Sequence, residues 1–197
     1  RGRRGRLSVA AHRSGAWRIE IERRDGVPRI VPAAELARVV ARALDAAAAP
    51  GPGSIGLVLT HDEELAQLNT EHMGKRGPTD VLSFPLLPPE AFPPHPGRPG
   101  ASATGRDPAS VSPAVPFALP PGRRPHLGDI AVSVERAIEQ ATAGRGGHTG
   151  DVRWSPADEL RLLVTHGTLH VCGWDHADPA EEREMRALER RLLAAGG

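Results

Sequence analysis

His166 and His170 stand four residues apart, and His176 follows six residues further on. On a helix the first two imidazoles project from one face about one turn apart, so both can reach a single cation. Gly173, between the second and third His, is placed to end that helix and free the backbone to curl, which brings His176 back as a third ligand. Three neutral imidazoles suit Zn²⁺ and leave a fourth tetrahedral position for water. A single His in an apolar helix is more often a hydrogen-bonded core residue than a ligand. Here three of the nine His fall within eleven residues at helical spacing, and that clustering favours metal. Cys172, next to this run, points off the His face and reads as a small buried side chain.

The spacing H-x3-H-x2-G-x2-H also occurs in metzincin peptidases, which carry a Glu directly after the first His as the base that activates water. Gly167 occupies that position here. A peptidase therefore lacks its base, while the metal site survives the objection. The chemistry left over is hydrolysis of another kind of bond by activated water.

These residues need a rigid support, and the flanking pattern provides one. Ser155 is an N-cap candidate, Pro156 fits the first helical position and Asp158 completes a capping box. Leu160, Leu162, Leu163, Val164, Leu169 and Val171 make the helix apolar nearly all round, as a central buried helix should be. A last helix starts near Asp178 and carries Met185, Leu188 and Leu192 as one stripe. Upstream, Trp17 to Glu22 alternates apolar and charged residues like a half-buried strand. Pro32 then opens a helix, 55–59 reads as a strand, and Thr60 with Glu63 has the spacing of a capping box for a helix carrying Leu65 and Leu68. Short strands follow at 81–84 and 127–132, the second leading into a helix from Ser133 to about Ala143. The pattern reads as short strands alternating with helices, with the His pair on a central, buried helix.

Length and composition limit what else the chain can be. Its 197 residues suit one domain with a real core, expected over 16–197. Residues 1–15 hold five Arg and no acid, and are expected to be a disordered tail. Twelve of the 20 prolines lie in 88–125, expected to be a largely disordered insertion within that domain. With 25 basic and 24 acidic residues the formal net charge is +1, and without the tail it is −4, which disfavours a nonspecific polyanion binder. Three Trp, three Phe and no Tyr are too few for a base-stacking platform. One cysteine excludes an internal disulfide, and no apolar run is long enough to span a membrane, so a cytoplasmic setting is expected.

The segment His166-Gly167-Thr168-Leu169-His170-Val171-Cys172-Gly173-Trp174-Asp175-His176 resembles the H-G-x-L-H-L-x-G-Y-D-H signature of the YbeY family of ribosomal RNA maturation factors. Two further blocks agree in order: Leu68-Asn69 followed by Pro78-Thr79-Asp80-Val81-Leu82-Ser83-Phe84-Pro85, and Leu127-Gly128-Asp129-Ile130. The resemblance implies a zinc-dependent, single-strand-specific endoribonuclease acting in 3′-end maturation of small-subunit ribosomal RNA and in ribosome quality control. It implies an α+β fold, a small mixed sheet of about four strands packed against helices, and one zinc on His166, His170 and His176, with ribosomal RNA and the small ribosomal subunit as partners and neither DNA nor a membrane.

Where the family usually has a phosphate-contacting Arg, this chain has Met73. Lys75 and Arg76 follow closely, and Arg76 is the better substitute because its planar fork holds phosphate through two directed hydrogen bonds. Both could equally be solvated loop charges. Asp175 either moves a proton or fixes the turn before His176, and Asp80 or Asp129 either orients a ligand His or caps a turn. Two alternatives stay open: a zinc hydrolase of another substrate, and a ribosome-assembly protein with structural zinc and little catalysis.

Overall fold

The computed structural model describes residues 8–74, 77–95, 124–143, 154–176 and 179–195. Five strands, β1 (Ser8–Ser14), β2 (Trp17–Arg23), β3 (Gly53–Thr60), β4 (Val81–Pro85) and β5 (His126–Ser133), form one mixed sheet in the order β1-β2-β3-β5-β4. The helices are α1 (Ala33–Ala46), α2 (Asp62–Met73), α3 (Val134–Thr142), α4 (Pro156–Val171) and α5 (Pro179–Ala194). β2, β3 and β5 run parallel, and the two edge strands β1 and β4 run antiparallel to their neighbours. The α+β expectation therefore holds, with one strand more than the pattern suggested.

The extra strand is β1, which corrects the expected tail over 8–14, while residues 1–7 of that tail lie outside the described residues. Ser14 pairs with Trp17 across a two-residue turn whose Gly15 has φ +57°, a conformation that glycine adopts without strain. Ala10, His12 and Ser14 share the half-buried face of β1, while Val9, Ala11 and Arg13 are exposed. With no large apolar residue on its inner face, the strand gives little periodic signal.

Alternation along the inner strands divides the core between the two sheet faces. Ile19, Ile21, Ile55, Leu57, Leu59, Ile130 and Val132 join the main cluster with Leu36, Val40 and Leu44 of α1 and Leu160, Val164 and Leu169 of α4. Leu82 and Ala131 face the other way and are covered by Leu65 of α2. The capping box expected from Thr60 and Glu63 does not form: His61 is the N-cap residue of α2 and makes no side-chain cap bond. Thr60 is the last residue of β3, and its hydroxyl donates to Glu64 instead. Ser133 does cap α3, accepting from the Arg136 amide at 3.1 Å.

The Pro-rich stretch begins with structure. Pro89–Ala91 makes a 3-10 turn, and Phe92, only 3% exposed, enters the main core. His95 then stacks on Trp174 with ring centroids 4.0 Å apart. The order at 88–95 corrects the proximal boundary of the expected insertion, because one aromatic side chain supplies enough burial to fix a short turn. Residues 96–123 lie outside the described residues.

Candidate metal centre

Helix α4 starts where the sequence places it. Ser155 accepts from the Asp158 amide at 3.2 Å while the Asp158 carboxylate accepts from the Ser155 amide at 3.1 Å, a complete capping box with Pro156 in the first turn. The helix lies so close to the sheet that a Cβ on Gly167 would stand 2.7 Å from Ile130 Cγ2 and 2.9 Å from Val81 Cγ2. The Ser83 hydroxyl of β4 donates to the Gly167 carbonyl at 2.9 Å and pins the same turn. No side chain fits after His166, so the Glu that a peptidase needs is excluded sterically as well as by sequence.

At its far end α4 stops at Cys172, and Gly173, with φ +80°, turns the chain back. This reversal carries His176 to the pair on the helix. The candidate ligand nitrogens of His166, His170 and His176 all lie within 4.8 Å of one another. His166 and His170 are partly buried and His176 is exposed, so the cluster opens to solvent on one side.

The second nitrogens decide whether this cluster suits a cation. His166 Nδ1 lies 2.7 Å from Oε1 of Glu189, a buried carboxylate on α5, and His170 Nδ1 lies 2.9 Å from the Trp174 carbonyl. Both partners are acceptors, which places the ring proton on Nδ1 in each His and leaves both Nε2 atoms with bare lone pairs. Those two Nε2 atoms are 3.0 Å apart. Two lone pairs at that distance repel unless a proton or a metal ion lies between them. Burial, with His166 and His176 nearby, lowers the His170 pKa to about 4, so His170 Nε2 keeps its lone pair at neutral pH. Ligands about 2.05 Å from a tetrahedral ion stand about 3.3 Å apart, close to the observed pair, so these residues fit a divalent metal.

The other expected site residues divide. Asp175 lies beside the cluster, and its Oδ1 accepts from the His176 amide at 2.7 Å, which fixes the turn. Asp80 accepts from Gln140 Nε2 at 3.0 Å and Asp129 pairs with His126 at 3.1 Å. The partner expected of Asp80 or Asp129 is Glu189, 23 residues beyond His166 and carried by a different helix. Met73 is the last residue of α2 and is exposed. Arg76 and Lys75 lie outside the described residues. Cys172 is fully buried, and burial pushes its thiol up to about 12, which leaves it inert.

Comparisons with known proteins identify the family of the chain. The family model described as Endoribonuclease YbeY matches residues 20–197. The chain belongs to the YbeY family. A relative named Endoribonuclease YbeY from Salinispora tropica is 40% identical over 157 residues, covering 80% of this chain and 83% of the relative. Another of that name from Thermobifida fusca is 35% identical over 176 residues, covering 89% and 92%. A solution structure of a Thermotoga maritima protein aligns with TM-score 0.49 at 19% identity, covering 91% of this chain and 88% of that one. In this YbeY chain the three His, the Gly after the first, and the Glu189 and Trp174 carbonyl partners form one metal-ready unit. Among the described residues no helix is long and apolar enough to cross a membrane.

Proposed function

We propose that this protein is a zinc-dependent endoribonuclease that cuts single-stranded RNA, acting on small-subunit ribosomal RNA in 3′-end maturation and ribosome quality control. The observation that carries the reading is the convergence of His166, His170 and His176 with their Nδ1 protons committed elsewhere and one side open to solvent. The names and family of the relatives support RNA as the substrate.

His166, His170 and His176 would hold the ion, which when bound supplies Lewis-acid polarisation of the phosphodiester and makes water a nucleophile at neutral pH. Glu189 keeps the proton on His166 Nδ1 and the Trp174 carbonyl keeps it on His170 Nδ1, so the metal-facing nitrogens stay bare. The Asp175 carboxylate holds the turn that presents His176, and its remaining oxygen is the proposed proton carrier at the open side. Arg76 is the proposed phosphate contact, replacing the cation that Met73 cannot supply. No covalent enzyme intermediate is needed, in keeping with a Cys172 thiol held neutral by burial.

The reading is tested with zinc-loaded protein and a ribosomal RNA 3′-end fragment offered as single strand, as duplex with its complement, and as the DNA equivalent. Cleavage confined to single-stranded RNA is expected, and comparable cutting of duplex or DNA would reject it. A 2′-deoxy residue at the scissile position separates two routes. Cleavage persists if water attacks and stops if the 2′-hydroxyl does. Stoichiometric zinc without cleavage would favour the assembly-factor role.

A further inference from the structure

A recess of about 470 Å³ lies between β1, β2 and the start of α1, well away from the His cluster. It sits under edge strand β1, whereas Gly167 of α4 packs on β4 and β5 at the opposite edge of the sheet. Its polar lining is His12, Arg23 and Arg29, and its floor is Ala10, Ile21 and Val31. The Arg23 Nε and His12 Nε2 atoms are shut off from solvent and have no hydrogen-bond partner. Among the described residues no carboxylate forms an ion pair with any of the three. Of the acids close in sequence to the lining, Glu22 pairs with Arg24 and Glu35 with Arg161.

Two guanidiniums gathered without an acid are an electrostatic cost to the fold, and burial together with Arg29 lowers the Arg23 pKa. Pro32 and Ala33 also line the recess, so the N-terminal end of the 14-residue α1, which has no side-chain cap, adds its positive dipole end. All these features favour an anion, and Arg forks favour phosphate. The volume is that of a small-molecule pocket, and the accessible apolar lining of Ala10, Pro32 and Ala33 suits more than an inorganic ion.

We propose that this recess is a second binding site, for a phosphorylated small molecule of mononucleotide size, with the phosphoryl group on Arg23 and Arg29 and the rest of the ligand against Ala10, Pro32 and Ala33. The site does not depend on the nuclease reading. It is tested by calorimetric titration of the full chain with adenosine 5′-monophosphate, inorganic phosphate and adenosine at fixed ionic strength, with chelator present so that a metal-held phosphate is not counted. The mononucleotide is expected to bind at least tenfold more tightly than either phosphate or adenosine. Arg29→Ala, a change at an exposed position, and Arg23→Gln are each expected to weaken it at least tenfold. Arg18→Ala, which removes an exposed Arg paired with Glu20, is expected to leave binding unchanged. A thermal melt of each variant separates lost binding from lost fold. Absence of mononucleotide binding at millimolar concentration would overturn the proposal. So would an unchanged affinity in folded Arg29→Ala, an equal loss in Arg18→Ala, or adenosine or inorganic phosphate binding as tightly as the mononucleotide.

Discussion

Replacing Glu189 by Gln should weaken the metal site while leaving the metal-free fold intact. Glu189 is 2% exposed and its oxygen lies 2.7 Å from His166 Nδ1, a distance in the charge-assisted range. Gln keeps an acceptor at nearly the same place, so His166 retains its tautomer, but the negative charge that makes the imidazole a better donor to metal is lost. Changes to such an outer partner usually cost about 10–100-fold in metal affinity, or about 1.4–2.7 kcal/mol. Stability without metal should move in the other sense or not at all, because the substitution removes a carboxylate that is costly to bury. Glu189→Ala should lose more affinity than Gln, since it leaves His166 Nδ1 without a partner and opens a void. Zinc affinity is read by competition with a chromophoric chelator, and metal-free stability by urea unfolding. Zinc affinity within twofold of wild type in Glu189→Gln would refute the positioning role.

Two further outcomes are expected. Gly167→Ala adds a methyl that must displace Ile130 and Val81 on the sheet, so overpacking of about 1–3 kcal/mol should outweigh the ~1 kcal/mol that Ala gains in helix propensity, and urea unfolding should find the variant less stable. Glu64, held below its ordinary value of 4.5 chiefly by hydrogen bonding to Arg24, stabilises the fold above that value and loses its effect as pH falls through the lowered one. Glu64→Gln should therefore flatten the acid limb of a stability-against-pH curve, and an unchanged limb would contradict the pairing.

The site was legible where its signals are local. The capping box at Ser155, the four-residue His spacing and the Gly173 stop each act within a turn or two of chain, so their geometry follows from spacing alone. Glu189 was not legible, because on α5 it is one of several charged residues and only the packing of α5 on α4 carries it to His166. Gly167 was legible as the absence of a base, but its reason, the approach of Ile130 and Val81, is tertiary. β1 escaped for want of large apolar residues on its inner face, and Thr60 misled because a strand end and a helix cap favour the same residue type. The Asp residues in the matched blocks hold Gln140, His126 and a turn, work that spacing cannot tell from orienting a ligand.

The central claim is that His166, His170 and His176 hold one catalytic metal ion. It is tested most directly by measuring bound zinc and cleavage of single-stranded RNA on the same preparations of wild type and His170→Ala. One zinc per wild-type chain is predicted, with cleavage abolished by chelator, and both zinc and cleavage lost in His170→Ala. Undiminished cleavage by zinc-free His170→Ala would contradict it.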